Sequence, residues 1–543
     1  MVAQPLMTEQ KTPAEPKPDT DWWRGAVIYQ IYPRSFMDHN GDGIGDLVGI
    51  TERLDYVADL GVDAIWLSPF FTSPMKDFGY DVADYRDVDP LFGTLADFDA
   101  LIARAHALGL KVMIDQVYSH SSDKHPWFTE SRASRDNPKA DWYVWADAKR
   151  DGSPPNNWQA LFGGPSWEWD AHRRQYYLHN FLIEQPDLNV RNPEVQDALL
   201  AAAKFWLDRG VDGFRLDVVN FYVQDARLRD NPTRDWTDTP PHPWRFQLHI
   251  HDRSQPETLA FIARLRALLD QYGASSVGEI GDEEPLERQR EYTAGPDHLH
   301  TAYSFFLLNE TNATPHLFRE ALEGWRGSAG WPSWSLSNHD VPRMASRMGG
   351  DNPAHVKVLM AVLLCLRGTI FLYQGDELGL PQAHVPFEKL QDPEGIRFWP
   401  EALGRDGART PMPWNASGGF SASAETWLPM DPRHIALNAE AQSNDATSLW
   451  AFTHNLIALR KAHPALRLGE WKALQTPNSV LAFEREGDDE RVVCVFNLSA
   501  ADITFPLAQM ENAKALDSGL SGSISGDHVT LPAHGGVIAL AAR

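Results

Sequence analysis

Short apolar runs recur along the chain. They alternate with longer stretches in which apolar residues return every three or four positions. The short runs read as buried strands and the longer ones as amphipathic helices. Eight strand runs stand out: Ala26–Tyr32, Ala64–Ser68, Lys111–Val117, Phe214–Val219, Ser276–Ile280, Thr301–Phe305, Trp334–Ser337 and Ile370–Tyr373. Between them lie helical patterns such as Leu95–Leu108, where Leu95, Phe98, Leu101, Ile102, Ala105 and Leu108 share one face. Pro193–Gly210 and Pro256–Tyr272 open on a proline, suited to a first helical turn, and the former closes on glycine. His355–Leu366 and Ser448–Lys461 continue the alternation.

Eight β-then-α units predict an α/β fold, a (β/α)8 TIM barrel. An open doubly wound sheet has the same local pattern. The barrel is favoured because polar residues gather at the C-terminal ends of several different strands, where such barrels hold their chemistry. After the third strand, about seventy residues rich in Trp, Pro, Gly and Asn precede the next helix, too many for a structureless loop. They read as an inserted domain over 119–184. From 464 onward short β-like runs with turn residues between them predict a C-terminal antiparallel β-sandwich, 464–543. The barrel is thus carried by 22–118 and 185–463. Residues 1–21, polar and rich in Pro, Lys and Glu, read as a disordered tail.

Charge narrows the partners. The formal net charge of −25 argues against nucleic acid and anionic membrane surfaces, and fits a small neutral substrate. No apolar stretch is long enough to cross a membrane and the N-terminus lacks a signal peptide's apolar run, so a cytoplasmic protein is expected. Cys365 and Cys494 match no metal or redox spacing. Cys365, inside Val362–Leu366, is expected as a buried free thiol. The 20 tryptophans serve either core packing or stacking on sugar faces, and composition does not separate the two.

Four motifs fall at strand ends: Asp115–His120, Gly213–Asp217, Val277–Glu279 and Ser337–Asp340. Singly, an Asp or His there is most often a cap or a satisfied polar group. Together, in this order on eight βα units, they form a pattern. A separate stretch, Asp38-His39-Asn40-Gly41-Asp42-Gly43-Ile44-Gly45-Asp46, alternates oxygen ligands as the first half of a Ca²⁺ loop does. Asp38, Asn40, Asp42, the Ile44 carbonyl and Asp46 would hold a structural Ca²⁺ or Mg²⁺. Gly49 stands where an EF-hand needs its last Glu, so the loop is not an EF-hand. The bland alternative is an Asx-rich turn without metal.

With these motifs in place, the chain from Trp22 onward resembles the α-amylase family of glycoside hydrolases, family thirteen. Within it the chain is similar to the α-glucosidase and oligo-1,6-glucosidase branch, through Trp22–Phe36, Gly79–Tyr85, Gln185–Asn189 and Arg405–Trp414. The resemblance implies a retaining, exo-acting enzyme that releases α-glucose from the non-reducing end of short α-glucosides and transfers glucose readily. It needs no organic cofactor and leaves monomer and dimer open. It implies Asp217 as nucleophile, forming a glucosyl-enzyme, and Glu279 as general acid/base, with the two carboxyls about 5 Å apart. Asp340 would hold the 2- and 3-hydroxyls, His120 and His339 would bind the same glucose, and Asp115 would order the site. Arg215, two residues before Asp217 on one strand, should keep it ionised. Tyr80 would stack on the terminal glucose. Asp81, paired with Arg409, would close the pocket behind it; the bland reading of that pair is a surface ion pair.

The linkage signals conflict. Val218 after the nucleophile goes with α-1,6 cleavage in the branch, whereas Asn156–Trp158 and Tyr177–Phe181 look like α-1,4-preferring relatives. A β-branched residue there also suits plain strand packing. Phe162 and Phe181 are candidate walls for the acceptor. Two alternatives stand beside this reading: a trehalose synthase or sucrose isomerase on the same scaffold, and a non-catalytic family member. The isomerase signature Arg-Leu-Asp-Arg-Tyr is absent. The catalytic carboxylates are all present, against the non-catalytic reading.

Overall fold

A computed structural model describes residues 20–235, 239–240 and 242–541. The expected tail falls almost wholly outside the described residues. Eight parallel strands form the central sheet: β1 (Val27–Ile31), β2 (Ala64–Leu67), β3 (Lys111–Gln116), β4 (Gly213–Leu216), β5 (Ser275–Ile280), β6 (Thr301–Ser304), β7 (Ser333–Ser335) and β8 (Thr369–Tyr373). Each pairs with its sequence neighbour except β6 and β7, and β8 returns to β1. A parallel bridge between Ala302 and Pro332 joins β6 to the approach of β7 and closes the ring.

The period of two along each strand explains why this barrel carries chemistry at one end. Register aligns Ile28 with Ala64, Ala64 with Lys111, and Met113 with Gly213. Ile28, Trp66, Met113, Val277, Tyr303 and Phe371 form a core cluster of their own, separate from the one that packs beneath the helices. Two residues further along the same faces stand Gln30, Asp115, Arg215 and Glu279. The inward face therefore changes from apolar to charged toward the C-terminal rim.

The helices begin where their caps dictate. Thr94 and Asp97 form a capping box on Leu95–Ala107. Asn192 caps Pro193–Leu207, and Ser448 caps Leu449–Ala462. The helix expected from Pro256 starts at Thr258. After β3 the insertion holds a helix, Pro126–Ser131, and a three-stranded antiparallel sheet of Trp145–Ala146, Gln175–Leu178 and Trp167–Asp170. Bridges from His120 to Asp187 and from Tyr143 to Leu188 tie it back to the rim.

Two antiparallel sheets, of five and three strands, make the C-terminal domain. Alternation along Arg491–Asn497 sends Val493 and Val495 between the sheets, and Val492, Cys494 and Phe496 toward the barrel. The two domains are also joined by buried arginines. Arg460 donates to the carbonyls of Leu364, Leu366, Leu466 and Gly368, and Arg485 to those of Cys365 and Gly469. Cys365 and Cys494 are free and buried, as the apolar run around Cys365 predicts.

Candidate active site

The site lies at the C-terminal rim, where a cavity of about 180 Å³ is lined by Asp77, Tyr80, His120, Phe162, Phe181, Asp217, Val218, Glu279 and Asp340, with Leu161, Phe305, Glu394 and Arg405. Its floor is built on Arg215. One nitrogen of this fully buried guanidinium binds Asp115 at 2.8 Å and Asp217 at 2.6 Å, and the other binds Glu279 at 2.6 Å. Glu279 also accepts from the Tyr303 hydroxyl at 3.2 Å and from the Val218 amide at 3.1 Å. A single cation thus faces three buried carboxyls.

That imbalance sets the protonation. Its place on the strand predicts that Arg215 keeps Asp217 ionised, but Arg215 alone does not: burial raises Asp217 well above the usual carboxylate range; Arg215 opposes the rise, while Glu279 and Asp115 add to it. Burial likewise raises Glu279, against Arg215 and with help from Asp340. Asp115 is pushed up to about 6, again by burial against Arg215. One guanidinium does not neutralise three adjacent anions, so the cluster retains a proton where isolated carboxylates would have lost theirs. Asp340 differs. Burial works against its ionisation too, yet His339, Arg409 and Arg405 hold its carboxyl below the usual range.

Tyr80 and His339 connect these groups. Their rings stack 5.4 Å apart, nearly parallel. The Gln30 amide lies 2.8 Å from His339 Nδ1, and the Tyr80 hydroxyl lies 2.6 Å from Nε2. Because Gln30 donates to Nδ1, the ring proton resides on Nε2, facing Tyr80 and, at 3.2 Å, Asp340. Tyr80 in turn donates to Asp115 at 3.2 Å. Burial lowers His339 well below its ordinary pKa and lowers His120 to about 3, so both rings are neutral. His339 supports the pocket from behind and does not line it.

The closing pair is not the one expected. Asp81 and Arg409 do not meet. Asp81 is fully buried and accepts from Ser73 Oγ at 2.9 Å and from the amides of Lys76 and Asp77 at 2.9 and 3.0 Å. It braces the turn that carries Asp77. It is Asp77 that lines the cavity, with Arg405 at 2.8 Å. Arg405 is gripped further by Asp392 at 2.7 Å, and its guanidinium lies 4.8 Å over the Phe162 ring. Arg409 instead binds Asp340 at 2.9 Å and the His339 carbonyl at 2.7 Å. Asp77 stands two residues before the Gly79–Tyr85 motif and Arg405 opens the Arg405–Trp414 motif, so the sequence signal for this pair is adjacent to motifs that the resemblance rests on.

Val218 also departs from expectation. β4 ends at Leu216, and Val218 adopts φ +35°, ψ +51°, in the left-handed region. A β-branched residue is strained in that conformation, so neither strand packing nor a routine turn accounts for it. Its amide points at Glu279 and its side chain packs with the Phe162, Phe181 and Phe221 cluster. Leu161, Phe305 and Glu394 complete the rim and belong to no motif the sequence displays.

The 38–46 loop lies apart from the cavity. Asp38 accepts from the amides of Gly41 and Gly43, Asn40 from that of Asp42, Asp42 from that of Ile44, and Asp46 from those of His39 and Gly49. Among the described residues no group of three His, Cys, Asp or Glu stands in metal-holding geometry. The donor chemistry nonetheless fits a hard cation: carboxylate, amide and carbonyl oxygens are all within one turn, and none of Asp38, Asp42 and Asp46 has a salt bridge among the described residues. No helix is long and apolar enough to cross a membrane among the described residues.

The chain matches known proteins over nearly its whole length. Residues 30–469 match the alpha amylase catalytic domain, and residues 471–538 match the maltogenic amylase C-terminal domain. A "probable alpha-glucosidase" of Rhizobium meliloti is 54% identical over 540 residues, covering 96% of this chain and 98% of the relative. An "oligo-1,6-glucosidase" of Heyndrickxia coagulans is 37% identical, covering 90% and 94%. Among solved structures, the alpha-glucosyl transfer enzyme XgtA superposes with a TM-score of 0.93 at 52% identity, covering 96% and 99%. The trehalulose synthase MutB of Pseudomonas mesoacidophila superposes at 0.86 with 35% identity, covering 98% and 100%.

Proposed function

The chain belongs to the alpha-amylase family, and from that premise we propose that it is an exo-acting, retaining α-glucosidase of short α-glucosides. The observation that carries the reading is Arg215, which holds Asp217 and Glu279 on two nitrogens of one guanidinium at the wall of a small cavity. In this reading Asp217 attacks the anomeric carbon and Glu279 delivers its proton to the departing oxygen. The glucosyl–Asp217 ester is then opened by water, or by an acceptor hydroxyl, with Glu279 as base. Relatives named as glucosidases and a neighbour named as an alpha-glucosyl transfer enzyme support both outcomes of that second step.

The cavity supports exo action. At about 180 Å³ it falls below the ~300 Å³ lower end of drug-sized ligand sites and suits one sugar ring. Asp77 and Arg405 on its wall would bind the outer hydroxyls of a terminal glucose, and Asp340, held ionised, would take the 2- and 3-hydroxyls. The 38–46 loop would hold a structural Ca²⁺ through Asp38, Asn40, Asp42, the Ile44 carbonyl and Asp46, a fold-stabilising charge remote from the reacting atoms. Small neutral glucosides are the proposed substrates, and the cytoplasm the proposed setting.

The structural likeness to trehalulose synthase keeps one competitor in view. Incubation with maltose, isomaltose, trehalose and sucrose side by side separates the two. Glucose, with glucosylated oligosaccharides at high substrate concentration, is the expected product. An isomeric disaccharide as the main product from maltose or sucrose would overturn the hydrolase reading.

A further inference from the structure

Just beyond the nucleophile, Asn220 is fully buried and does not line the cavity. Its side chain treats Gly281 as a strand partner. The Asn220 amide nitrogen donates to the Gly281 carbonyl at 2.7 Å, and the Asn220 oxygen accepts from the Gly281 amide at 3.3 Å. Gly281 follows β5 and stands two residues after Glu279; Asn220 stands three after Asp217. One side chain therefore bolts the segment after the nucleophile to the segment after the acid/base.

The bolt is itself held. Asn220 Nδ2 also donates to Ser254 Oγ at 2.9 Å, and the Ser254 amide donates to the Asn220 carbonyl at 2.6 Å. Ser254 Oγ donates to Asp282 at 2.5 Å, and Asp282 is paired with Arg288 at 3.2 Å. Ser254 has a positive φ of 58°, and Val218, between Asp217 and Asn220, has one of 35°. Non-glycine residues persist in that region only when their surroundings over-determine them. What the strained turn at Val218 achieves is specific: it aims the Val218 amide at Glu279 Oε2.

We propose that Asn220 is a positioning residue for the general acid: by clamping Gly281 it holds the Val218 turn and Glu279 in register, so that Glu279 meets the departing oxygen. The inference rests on the glucosidase reading. It adds that leaving-group protonation depends on a side chain that touches neither substrate nor carboxylate. Loss of the clamp removes a donor from the ionised form of Glu279, which raises its pKa. It also misplaces the proton that a poor leaving group requires.

Leaving-group dependence tests this. The full chain is compared with Asn220→Ala and with Ser254→Ala, which loosens the clamp from outside and keeps the Gly281 bonds. kcat/KM is read on maltose, which needs its departing oxygen protonated, and on 4-nitrophenyl α-glucoside, which scarcely does. Asn220→Ala is expected to lose at least about tenfold on maltose, a part of the ~10²–10⁴ that a general acid contributes. It should lose no more than about threefold on the aryl glucoside, and the alkaline limb of its pH profile should move upward. Ser254→Ala should show the same bias, smaller. An equal fall on both substrates, or no fall on either, would overturn the inference. Should Asn220→Ala fold too poorly to assay, the Ser254→Ala ratio decides alone. Inactivity of the unsubstituted chain on both glucosides would instead sink the glucosidase reading.

Discussion

At the scale of single residues, the site turns on which carboxylates are gripped by which cations. Asp77 and Asp81 sit four residues apart and are both buried, yet their partners give them different work. Asp77 meets Arg405 at the cavity wall; Asp81 satisfies two backbone amides and a serine. Replacing Asp77 by Ala should raise KM for maltose by about 10- to 100-fold, the worth of one charged hydrogen bond to substrate, and should also lower Tm, since buried Arg405 and Gln185 each lose a partner. Asp81→Ala should cost about 2–4 kcal/mol of stability, because it strands buried donors, and should show as a lowered denaturation midpoint. Equal kinetic damage from both would remove the distinction. The Arg215 cluster makes a second prediction. On the proposed mechanism activity requires Asp217 ionised and Glu279 protonated, so kcat/KM should fall on the acid side as the first gains a proton and on the alkaline side as the second loses one. Because burial raises Glu279, the alkaline limb should lie above the ~4.3 of an ordinary glutamate. The limbs belong to the coupled pair and not to either residue. A profile already falling at the ordinary glutamate value would contradict this electrostatic account.

Among the elements, the strands are readable from sequence because burial on both faces leaves short, mostly apolar runs. All eight runs overlap an observed strand. Their C-terminal boundaries are less readable, and those boundaries carry the chemistry. The run through Val219 breaks at Leu216, since Asp217 and Val218 leave the strand to reach the rim. The run through Ser337 stops at Ser335, where Ser337 turns its hydroxyl to accept from the Met344 amide. Motif residues on strands, such as Asp115, Arg215 and Glu279, are legible because period-two geometry fixes where they point. The Asp77–Arg405 pair is not, since its partners lie 328 positions apart and only the closed barrel brings them together. Leu161 and Glu394 carry no signal, and Phe305 shows only as the end of a strand run, because a wall residue needs only bulk and position. The 38–46 loop is the element on which sequence pattern and geometry are least reconciled. If it takes Ca²⁺, chelation with EGTA should lower Tm and added Ca²⁺ should restore it, and Asp38→Ala should abolish that response. An unchanged Tm in wild type would leave the loop as an Asx-rich turn.

On the scale of the whole molecule, three parts converge on one cavity. The barrel supplies the carboxylates and Arg215, the insertion after β3 supplies Phe162 and Phe181, and the segment after β8 supplies Glu394 and Arg405. The C-terminal sandwich touches none of this. It buries an apolar face against the helix Pro353–Cys365, with Arg460 and Arg485 satisfying the carbonyls where the two domains meet. In the proposed mechanism the barrel rim carries the reacting carboxylates, and the segments between strands shape the substrate's site. The central claim is double displacement at a cavity that holds one glucose. The stereochemistry of the first product tests it most directly. Proton NMR of maltose hydrolysis, followed before mutarotation, should show the glucose freed from the non-reducing end appearing first as the α-anomer; initial release of β-glucose would contradict the account.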